Sequence, residues 1–225
     1  MTSAFRNFLL LAAASVIAIA AQLSWISASL TPDGYVPFGN DAFYHARRIL
    51  DAVADPSAFY EFDERIHWPT GSLLTWPWGY DYFMAALVRG GMALGLAQDP
   101  MTLLVHIPVA AVVLSLSLLL VMARTLQLGT FPTAALLMTV AVLPLTGGLH
   151  GVGMIDHHWA EYVSVLAFVA ATLAWARQPG SGLRAALLGV ILGVAPAIHN
   201  GLFILQAVLL AWAVLIWWRK QPMPT

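Results

Sequence analysis

Residues 101–123 read MTLLVHIPVAAVVLSLSLLLVMA and contain no charged side chain. A helix of about 20 apolar residues crosses the hydrocarbon core of a bilayer, so this stretch is long enough to span a membrane. The whole chain has the same character: 60% of its 225 residues are hydrophobic, 9% are charged and the mean hydropathy is +0.78. Soluble domains normally carry about 25% charged residues. The sequence therefore predicts an all-α, polytopic membrane protein.

Similar apolar stretches lie on both sides of this segment. The predicted transmembrane spans are 7–30, 101–123, 130–148, 158–176, 184–198 and 201–218. The first is longer than the core of a signal peptide, which has about 7–15 apolar residues, so we predict an uncleaved anchor. Pro196 and the His-Asn-Gly sequence at 199–201 separate the last two spans. Two spans joined by a tight hairpin are predicted there, with one long kinked helix as the alternative.

Residues 79–98 are apolar but are interrupted by Asp81, Arg89 and the Gly90–Gly91 pair. The distribution of charge decides whether this segment crosses the membrane, because basic residues favour the cytoplasmic side. If it does not cross, all eleven acidic residues lie on one side of the membrane. The basic residues that then lie on the other side are Arg6, Arg124, Arg177, Arg184, Arg219 and Lys220.

If residues 79–98 did cross, Arg124 would move to the outer side, and Asp156 would be separated from Asp41 by the membrane. We therefore predict an interfacial or re-entrant helix at 79–98, and about six transmembrane helices with both termini cytoplasmic. Residues 1–225 then form a single transmembrane module, in which residues 31–100 are a long outer loop with amphipathic helices.

The outer loop is predicted to be ordered rather than flexible. A helix is indicated from Asp41 to Asp55, before Pro56, because apolar residues recur there at helical spacing. These residues are Phe43, Ala46, Ile49, Leu50 and Val53. Aromatic residues that suit a surface at the level of the lipid head groups follow in the second half of the loop. They are Trp68, Trp76, Trp78, Tyr80 and Tyr82.

Residues 153–161 read GMIDHHWAE and place two carboxylates and two imidazoles between apolar stretches. Ionisable groups at the edge of a membrane are costly, and they usually mark functional sites. Asp156 and His158 alternate, so a short extended segment would direct both side chains the same way. A carboxylate oxygen and an imidazole nitrogen form half of a divalent-metal site. The alternative for Asp156 is a helix N-cap.

Asp41 follows residues 38–40 and opens the loop helix, where it too could be an N-cap. The predicted topology brings Asp41 and Asp156 to the same outer boundary of the membrane. Cysteine is absent, which excludes disulfides and thiolate metal sites. The remaining apolar-segment histidines, His106, His150 and His199, are expected to be packed or interfacial rather than metal ligands.

Three motifs, in this order, resemble those of the catalytic subunit of oligosaccharyltransferase, a membrane glycosyltransferase of the GT-C fold. Residues 39–47 (GNDAFYHAR) resemble the family's first acidic motif and its loop helix. Residues 67–81 (HWPTGSLLTWPWGYD) resemble the Pro-, Gly- and aromatic-rich part of its first outer loop. Residues 153–161 resemble the second acidic motif of the archaeal and bacterial single-subunit type. The resemblance covers nearly all of this chain but only the N-terminal part of the family's subunit.

The resemblance implies that Asp41, Asp156 and His158 bind Mn²⁺ or Mg²⁺, and that Asp41 and Asp156 are catalytic. The metal would hold the pyrophosphate of a polyprenyl-linked sugar donor, and Asp41 would lie near the amide nitrogen of the acceptor. The acceptor would be either an Asn of a protein or a glycan. Membrane lipids are further partners, and no nucleic-acid partner is expected. The other residues expected to contact substrate are His157, Glu161, Tyr44 and Arg47.

The resemblance also implies a location in the inner (plasma) membrane, with the acidic face on the outer or periplasmic side. The sequence departs from the family at Gly39, where an Asp-x-Asp motif often has its first acid. The family has a further catalytic Glu on a later outer loop and a C-terminal soluble domain with a Trp-Trp-Asp motif. Neither occurs before Thr225, so we expect an N-terminal fragment of a longer protein or a truncated relative.

Two other functions are alternatives to a glycosyltransferase. A non-catalytic transporter or lipid-binding module would place polar residues along a path in mid-span, but these stretches are almost purely apolar. A membrane metalloprotease would rest on His158-x-x-Glu161 alone, because the second motif histidine is missing. Both alternatives are therefore weaker hypotheses than the glycosyltransferase.

Overall fold

The computed structural model describes residues 2–220, and the predicted all-α class is confirmed. Both chain termini, predicted to be cytoplasmic, lie outside the described residues. The helices are α1 (Ser3–Leu23), α2 (Ile26–Ser29), α3 (Asn40–Ala54), α4 (Gly79–Ala93), α5 (Pro100–Thr125), α6 (Thr130–Val142), α7 (Pro144–His150), α8 (His158–Arg177), α9 (Gly182–Ile198) and α10 (Phe203–Lys220). Two-residue strands form two antiparallel pairs, β1 (Leu30–Thr31) with β2 (Gly34–Tyr35) and β3 (Phe62–Asp63) with β4 (Ser72–Leu73).

Four helical segments of the described chain are long and apolar enough to cross a membrane. They are Ser3–Leu23, Pro100–Thr125, His158–Arg177 and Asn200–Arg219. Helices α6 and α7 qualify only together, and they bend by 59° at Leu143, before Pro144. Helix α9 is apolar but has only 17 residues. The described chain thus has four or five candidate spans by length and composition, whereas six were predicted.

The difference from six spans arises at two breaks. The predicted span 130–148 is bent because Pro144 cannot continue α6 as a straight helix. The predicted span 184–198 ends at Ile198, where His199 is extended. The predicted hairpin between α9 and α10 is nevertheless confirmed. A 3₁₀ turn joins the two helices, and the Gln206 side chain donates a hydrogen bond of 2.9 Å back to the Leu192 carbonyl oxygen.

Helix α4 has 15 residues, which is fewer than the roughly 20 that a span requires. It is therefore not among the candidate spans, as the charge distribution predicted. One face of α4 is buried through Tyr80, Met84 and Val88, which pack in the same core as residues of α3 and α5. The helix thus lies against the body of the protein, and its first turn places Tyr80 and Asp81 against α3.

The rest of the outer loop is ordered by α3 and by ion pairs. Helix α3 agrees closely with the predicted helix 41–55, and it buries one face through Ala42, His45, Ala46, Ile49 and Ala52. The buried Asp63 carboxylate anchors the loop, because Arg47 pairs with one oxygen and Arg65 Nε lies 2.9 Å from the other. Burial raises the pKa of Asp63, but the hydrogen bonds and charges of these two arginines lower it below its ordinary value.

Helix α5 lies at the centre of the molecule and packs against α1, α4, α6 and α8. Its N-terminal half shares a core with α3, α4 and the start of α8. Its other half packs against α1 and α6. Helices α8, α9 and α10 form a third core. The loop between α7 and α8 is therefore held close to the outer-loop helices, and this loop contains Asp156.

Candidate functional site

The two acidic motifs are brought together by a close backbone contact at Gly153. Its carbonyl oxygen accepts a hydrogen bond of 2.8 Å from the Phe38 amide, and its own amide donates one of 3.0 Å to the Val105 carbonyl oxygen. Gly153 has φ of +82°, and a Cβ there would overlap the Ser29 side chain and lie 3.2 Å from the Phe38 nitrogen. Only glycine fits this close backbone contact. The chain segment before Asp41 is thereby joined to the segment before Asp156.

The backbone at Asp156 is fixed by aromatic side chains of α4 and α8. The Tyr80 hydroxyl faces the carbonyl oxygens of Ile155 and Asp156, and the Trp159 indole N–H donates to it across 3.0 Å. Tyr80 is fully buried, and burial raises its pKa well above 10, so its proton is retained for these hydrogen bonds. Tyr80 of α4 therefore holds the backbone from which the Asp156 side chain projects.

The two oxygens of Asp156 face different histidines. Oδ1 lies 2.7 Å from Nδ1 of His157 and 3.9 Å from Nε2 of His45, on the buried side. Oδ2 lies 3.6 Å from Nε2 of His158, on the exposed side. His45 and His157 are 2% and 3% exposed, whereas the His158 side chain is 55% exposed. Asp156 thus contacts buried histidine nitrogens through one oxygen and an accessible histidine nitrogen through the other.

The carboxyl group of Asp156 is poised to be ionised and to take a further ligand. Burial raises its pKa, but contact with His157 and the charges of His158 and His45 lower it below its ordinary value. Oδ1 is buried, and no donor is aligned well enough to hydrogen-bond to it within the described residues. A buried carboxylate oxygen without a donor is costly. On the exposed side, Oδ2 and Nε2 of His158 lie 3.6 Å apart and form a carboxylate–imidazole donor pair of the kind that fits a divalent cation.

A buried network supports His45 from behind. Its Nδ1 lies 2.7 Å from Asp81 Oδ1, and Arg48 lies 2.8 Å from Asp81 Oδ2. An ionised carboxylate only accepts hydrogen bonds, so Nδ1 of His45 carries the proton. In a neutral ring, Nε2 then has a lone pair directed toward His157, 3.0 Å away, and Asp156. This carboxylate–histidine arrangement fixes the orientation of the His45 ring on the buried side of Asp156.

A second group of possible ligands lies beside the first. The Glu161 carboxylate contacts Nδ1 of His199 through one oxygen, and its other oxygen lies 2.7 Å from Nδ1 of His158. The His199 ring stacks on His157, with ring centroids 4.3 Å apart. The ligand atoms of His157, Glu161 and His199 lie within 4.8 Å of one another, as do those of His45, Asp156 and His157. The α9–α10 break therefore contributes to the site.

Asp41 is exposed in the first turn of α3, and it is close enough to His158 to act on it electrostatically. Neither Asp41 nor Asp156 is a helix N-cap, because the caps are Gly39 and His157. Within the described residues, neither carboxylate accepts a hydrogen bond from a backbone amide. The N-cap alternative is therefore wrong for both residues, whereas their assignment as metal ligands and catalytic groups stays a prediction.

The predicted substrate-contacting residues fall into two places. His157 and Glu161 lie in the site itself, although His157 is buried. Tyr44 and Arg47 instead face Asp63, and the Tyr44 hydroxyl lies 3.5 Å from its Oδ2. Burial raises the pKa of Tyr44 to about 12, so its hydroxyl remains protonated. A role in substrate contact stays a prediction for all four residues.

Sequence reasoning missed three residues of the site: His45, Asp81 and His199. His45 lies one helical turn after Asp41 in the first motif, and this i+4 spacing could have indicated it. Asp81 interrupts an apolar stretch, which is itself a signal of function. His199 was expected to be packed or interfacial, and it is indeed packed, but against His157 and Glu161. His150, by contrast, is buried against Ser115 and the Pro108 carbonyl oxygen, as predicted.

Two apolar cavities lie beside the site, under Trp159. One of about 300 Å³ lies between α4, α5, α8 and α9. The other, of about 470 Å³, lies between α4 and α5. Both are lined by Phe83, Leu114 and Trp159. Because the Trp159 indole is hydrogen-bonded to Tyr80, which holds Asp156, the cavities adjoin the polar site directly.

No protein-family model and no curated protein matches this sequence. Solved structures of the oligosaccharyltransferase of the archaeon Archaeoglobus fulgidus do match the fold. The complex of this enzyme, AglB, with an inhibitory peptide and a dolichol-phosphate has a TM-score of 0.78, 19% identity and coverage of 91% of this chain. The complex with Zn and sulfate has a TM-score of 0.76, 19% identity and 90% coverage. A form tethered to an acceptor peptide with an NVT sequon has a TM-score of 0.72, 19% identity and 91% coverage.

The chain has the membrane fold of an archaeal oligosaccharyltransferase. The GT-C-like architecture implied by the three motifs is thereby confirmed, and the chain is a multi-pass membrane protein. It spans about a quarter of the length of the solved structures, with 25%, 26% and 25% of those chains covered.

Proposed function

We propose that this chain is the metal- and donor-binding membrane module of a glycosyltransferase that uses a polyprenyl-(pyro)phosphate sugar donor. The observation that carries the proposal is the Asp156 carboxylate, which has histidines at both oxygens within a fold shared with an oligosaccharyltransferase. A pyrophosphate would be repelled by Asp41 and Asp156 alone. A divalent cation between them would remove this repulsion and stabilise the leaving phosphate as the glycosidic bond breaks.

We propose that Asp41, Asp156 and His158 hold the cation on the exposed side, and that it is Mn²⁺ or Mg²⁺. Carboxylate oxygens with one imidazole suit these ions better than a set of imidazoles. His45 and His157 lie on the buried side of Asp156, and their role is to orient its carboxylate. The supporting geometry is the contact of Asp156 Oδ2 with His158 Nε2, at 3.6 Å, and the exposure of Asp41.

The cavities under Trp159 support a lipid-linked donor. They would hold the first isoprene units of the polyprenyl chain, while the phosphate faces Asp156. The archaeal enzyme of the same fold binds dolichol-phosphate and an acceptor peptide containing a sequon. By extension, we propose that an Asn of a peptide is the acceptor here, and that Asp41 orients its amide. The acidic side would then face the outside of the plasma membrane, where Glu161, Tyr44 and Arg47 are available to substrate.

The metal site can be tested by titrating Mn²⁺ into the purified chain and measuring the bound ion by electron paramagnetic resonance. We expect Asp156→Asn and His158→Gln to abolish specific binding, since each removes a ligand. His45→Gln should weaken binding by about 10–100-fold, the usual effect of losing support behind a ligand. Asp99→Asn is the matched control, because Asp99 only caps α5, and it should bind Mn²⁺ like the unmodified chain.

The donor can be tested in the same preparations with a polyprenyl-pyrophosphate sugar. We expect Mn²⁺ to increase its binding in the unmodified chain and in Asp99→Asn, but not in Asp156→Asn. Equal Mn²⁺ binding in the Asp156→Asn and unmodified proteins would contradict the metal site. Donor binding that is indifferent to Mn²⁺ would contradict the proposed function even if the metal binds.

A further inference from the structure

A polar cavity of about 410 Å³ lies at the opposite end of α8 from Asp156. Three elements meet there: the end of α5, the end of α8 and the first turn of α9. The lining residues are Arg124, Thr125, Gln127, Ala174, Arg177, Gln178 and Arg184. Helix α8 has 20 residues, so roughly 30 Å separate this cavity from the metal site. The cavity is therefore independent of the proposed glycosyltransferase chemistry.

Within residues 2–220, no acidic side chain neutralises the positive charge of this cavity. Arg124 and Arg177 are exposed, and the half-buried Arg184 donates a hydrogen bond to the Ala174 carbonyl oxygen. All eleven acidic residues of the chain lie in residues 2–220, and none of them pairs with any of the three arginines. A single arginine at a helix end is explained by the helix dipole and by the positive-inside preference. These two effects do not explain why three arginines from three elements surround one cavity.

Exposed apolar side chains stand next to the lining residues along the chain. Leu126 and Leu128 follow α5 and are 48% and 41% exposed, and Leu183 at the start of α9 is 82% exposed. A soluble anion gains nothing from these side chains. A ligand with an anionic head and apolar chains would contact both the arginines and the leucines. Basic pockets between transmembrane helices on the cytoplasmic side are known to receive such lipid head groups.

We propose that this cavity binds the phosphate head group of an anionic phospholipid in the membrane leaflet opposite to the metal site. The phosphate diester is paired with Arg124, Arg177 and Arg184, and the acyl chains lie along Leu126 and Leu183. Guanidinium groups suit this ligand because they donate in pairs to phosphate oxygens. A bound lipid would join the ends of α5, α8 and α9, where the described part of the chain supplies no acidic partner.

The test uses the full chain, freed of lipid in a neutral detergent and titrated with dioleoyl phosphatidylglycerol or phosphatidylcholine under native mass spectrometry. The pocket variant is Arg124→Gln with Arg177→Gln. The matched control is Arg89→Gln with Arg219→Gln, which removes the same charge from exposed arginines outside the cavity. Each arginine near an anionic lipid is worth about 5-fold in affinity, so we expect roughly 25-fold weaker phosphatidylglycerol binding in the pocket variant.

The unmodified chain and the control should prefer phosphatidylglycerol over phosphatidylcholine, with affinities within about 2-fold of each other. Replacing Arg124 and Arg177 with Lys should keep most of the preference, and this variant also separates lost binding from lost folding. Equal weakening in the pocket variant and the control would overturn the proposal. So would inorganic phosphate that displaces phosphatidylglycerol at equal concentration, because the ligand would then be a soluble anion.

Discussion

Asp81 connects the outer-loop helices to Asp156 through two buried contacts. It lies 2.7 Å from Nδ1 of His45 and 2.8 Å from the guanidinium group of Arg48, and none of the three side chains is more than 2% exposed. Burying charged groups costs desolvation free energy, which close contacts with oppositely charged or hydrogen-bonding partners must offset. The direction of His45, and through it the buried side of the metal site, therefore depends on one carboxylate in α4.

Replacing this carboxylate by an amide, Asp81→Asn, should destabilise the protein strongly. The Arg48 charge would remain buried without a counter-ion, which typically costs about 3–5 kcal/mol. The measurement is the free energy of unfolding, obtained by titrating the purified protein from mild detergent into sodium dodecyl sulfate. The affinity for Mn²⁺ in the remaining folded protein should also fall by about 10–100-fold, because His45 loses its orienting partner.

Two further variants serve as controls for the effect of Asp81→Asn. Asp33→Asn changes an exposed acid with no ion pair in the described chain, and should alter stability by less than about 0.5 kcal/mol. The double replacement of Arg48 by Met and Asp81 by Leu removes both charges and should be less destabilising than Asp81→Asn alone. If Asp81→Asn were as stable as Asp33→Asn, the buried ion pair would not support the site.

At the scale of elements, the contact between α4 and α9 positions His199. Gly79, the first residue of α4, lies against Ala197 near the end of α9, and a Cβ at Gly79 would overlap the Ala197 carbonyl oxygen. Two residues later His199 turns toward Glu161. The Asn200 side chain also donates a hydrogen bond of 2.9 Å to the Thr75 carbonyl oxygen in the outer loop. The α9–α10 break is thereby attached to the outer loop.

Adding a methyl group at this contact, Gly79→Ala, should push α4 and α9 apart. Overpacking of this kind costs about 1–3 kcal/mol, and it should also separate His199 from Glu161. The control in the same helix is Gly90→Ala, because a Cβ there meets nothing within 4 Å. Gly90→Ala should be neutral or slightly stabilising, since Ala favours helix. Unfolding in sodium dodecyl sulfate measures both, and equal stability of the two variants would contradict the close contact.

Some helices of this fold can be predicted from the sequence, whereas the points at which other helices end cannot. Helix α5 is 26 residues long, and residues 101–123 within it are apolar and uncharged, so its existence follows from composition alone. Helix α3 follows from its periodicity. The bend between α6 and α7 and the shortness of α9 depend on Pro144 and on the extended His199, and apolar content alone does not reveal whether such breaks end a span. Hydropathy thus predicts that helices exist more reliably than where they stop.

At the scale of the whole molecule, the candidate site combines residues from four distant stretches of the chain. Asp156 and His158 could be identified because they are adjacent in one polar motif. His45, Asp81 and His199 come together only through the packing of α3, α4 and the α9–α10 break, which no single stretch of sequence encodes. Ionisable residues in apolar surroundings were the available signal. Their partners could not be assigned without the fold.

The charges of the chain divide between its two ends, and this division predicts its orientation in the membrane. The acidic site lies at the start of α8, and the cavity lined by Arg124, Arg177 and Arg184 lies at its end. By the positive-inside rule, the arginine-lined end should be cytoplasmic and the end with Asp156 outside. Because the chain has no cysteine, single cysteines can report each side without background.

We expect Glu64→Cys, in the exposed outer loop, to react with a membrane-impermeant maleimide in intact spheroplasts. Gln178→Cys, at the exposed end of α8, should react only after permeabilisation. The control is labelling of both variants in detergent, where equal reactivity shows that both thiols are accessible. If Gln178→Cys reacted in intact spheroplasts and Glu64→Cys did not, the orientation would be reversed. If both reacted from the same side, α8 could not separate the acidic site from the arginine-lined cavity across a bilayer.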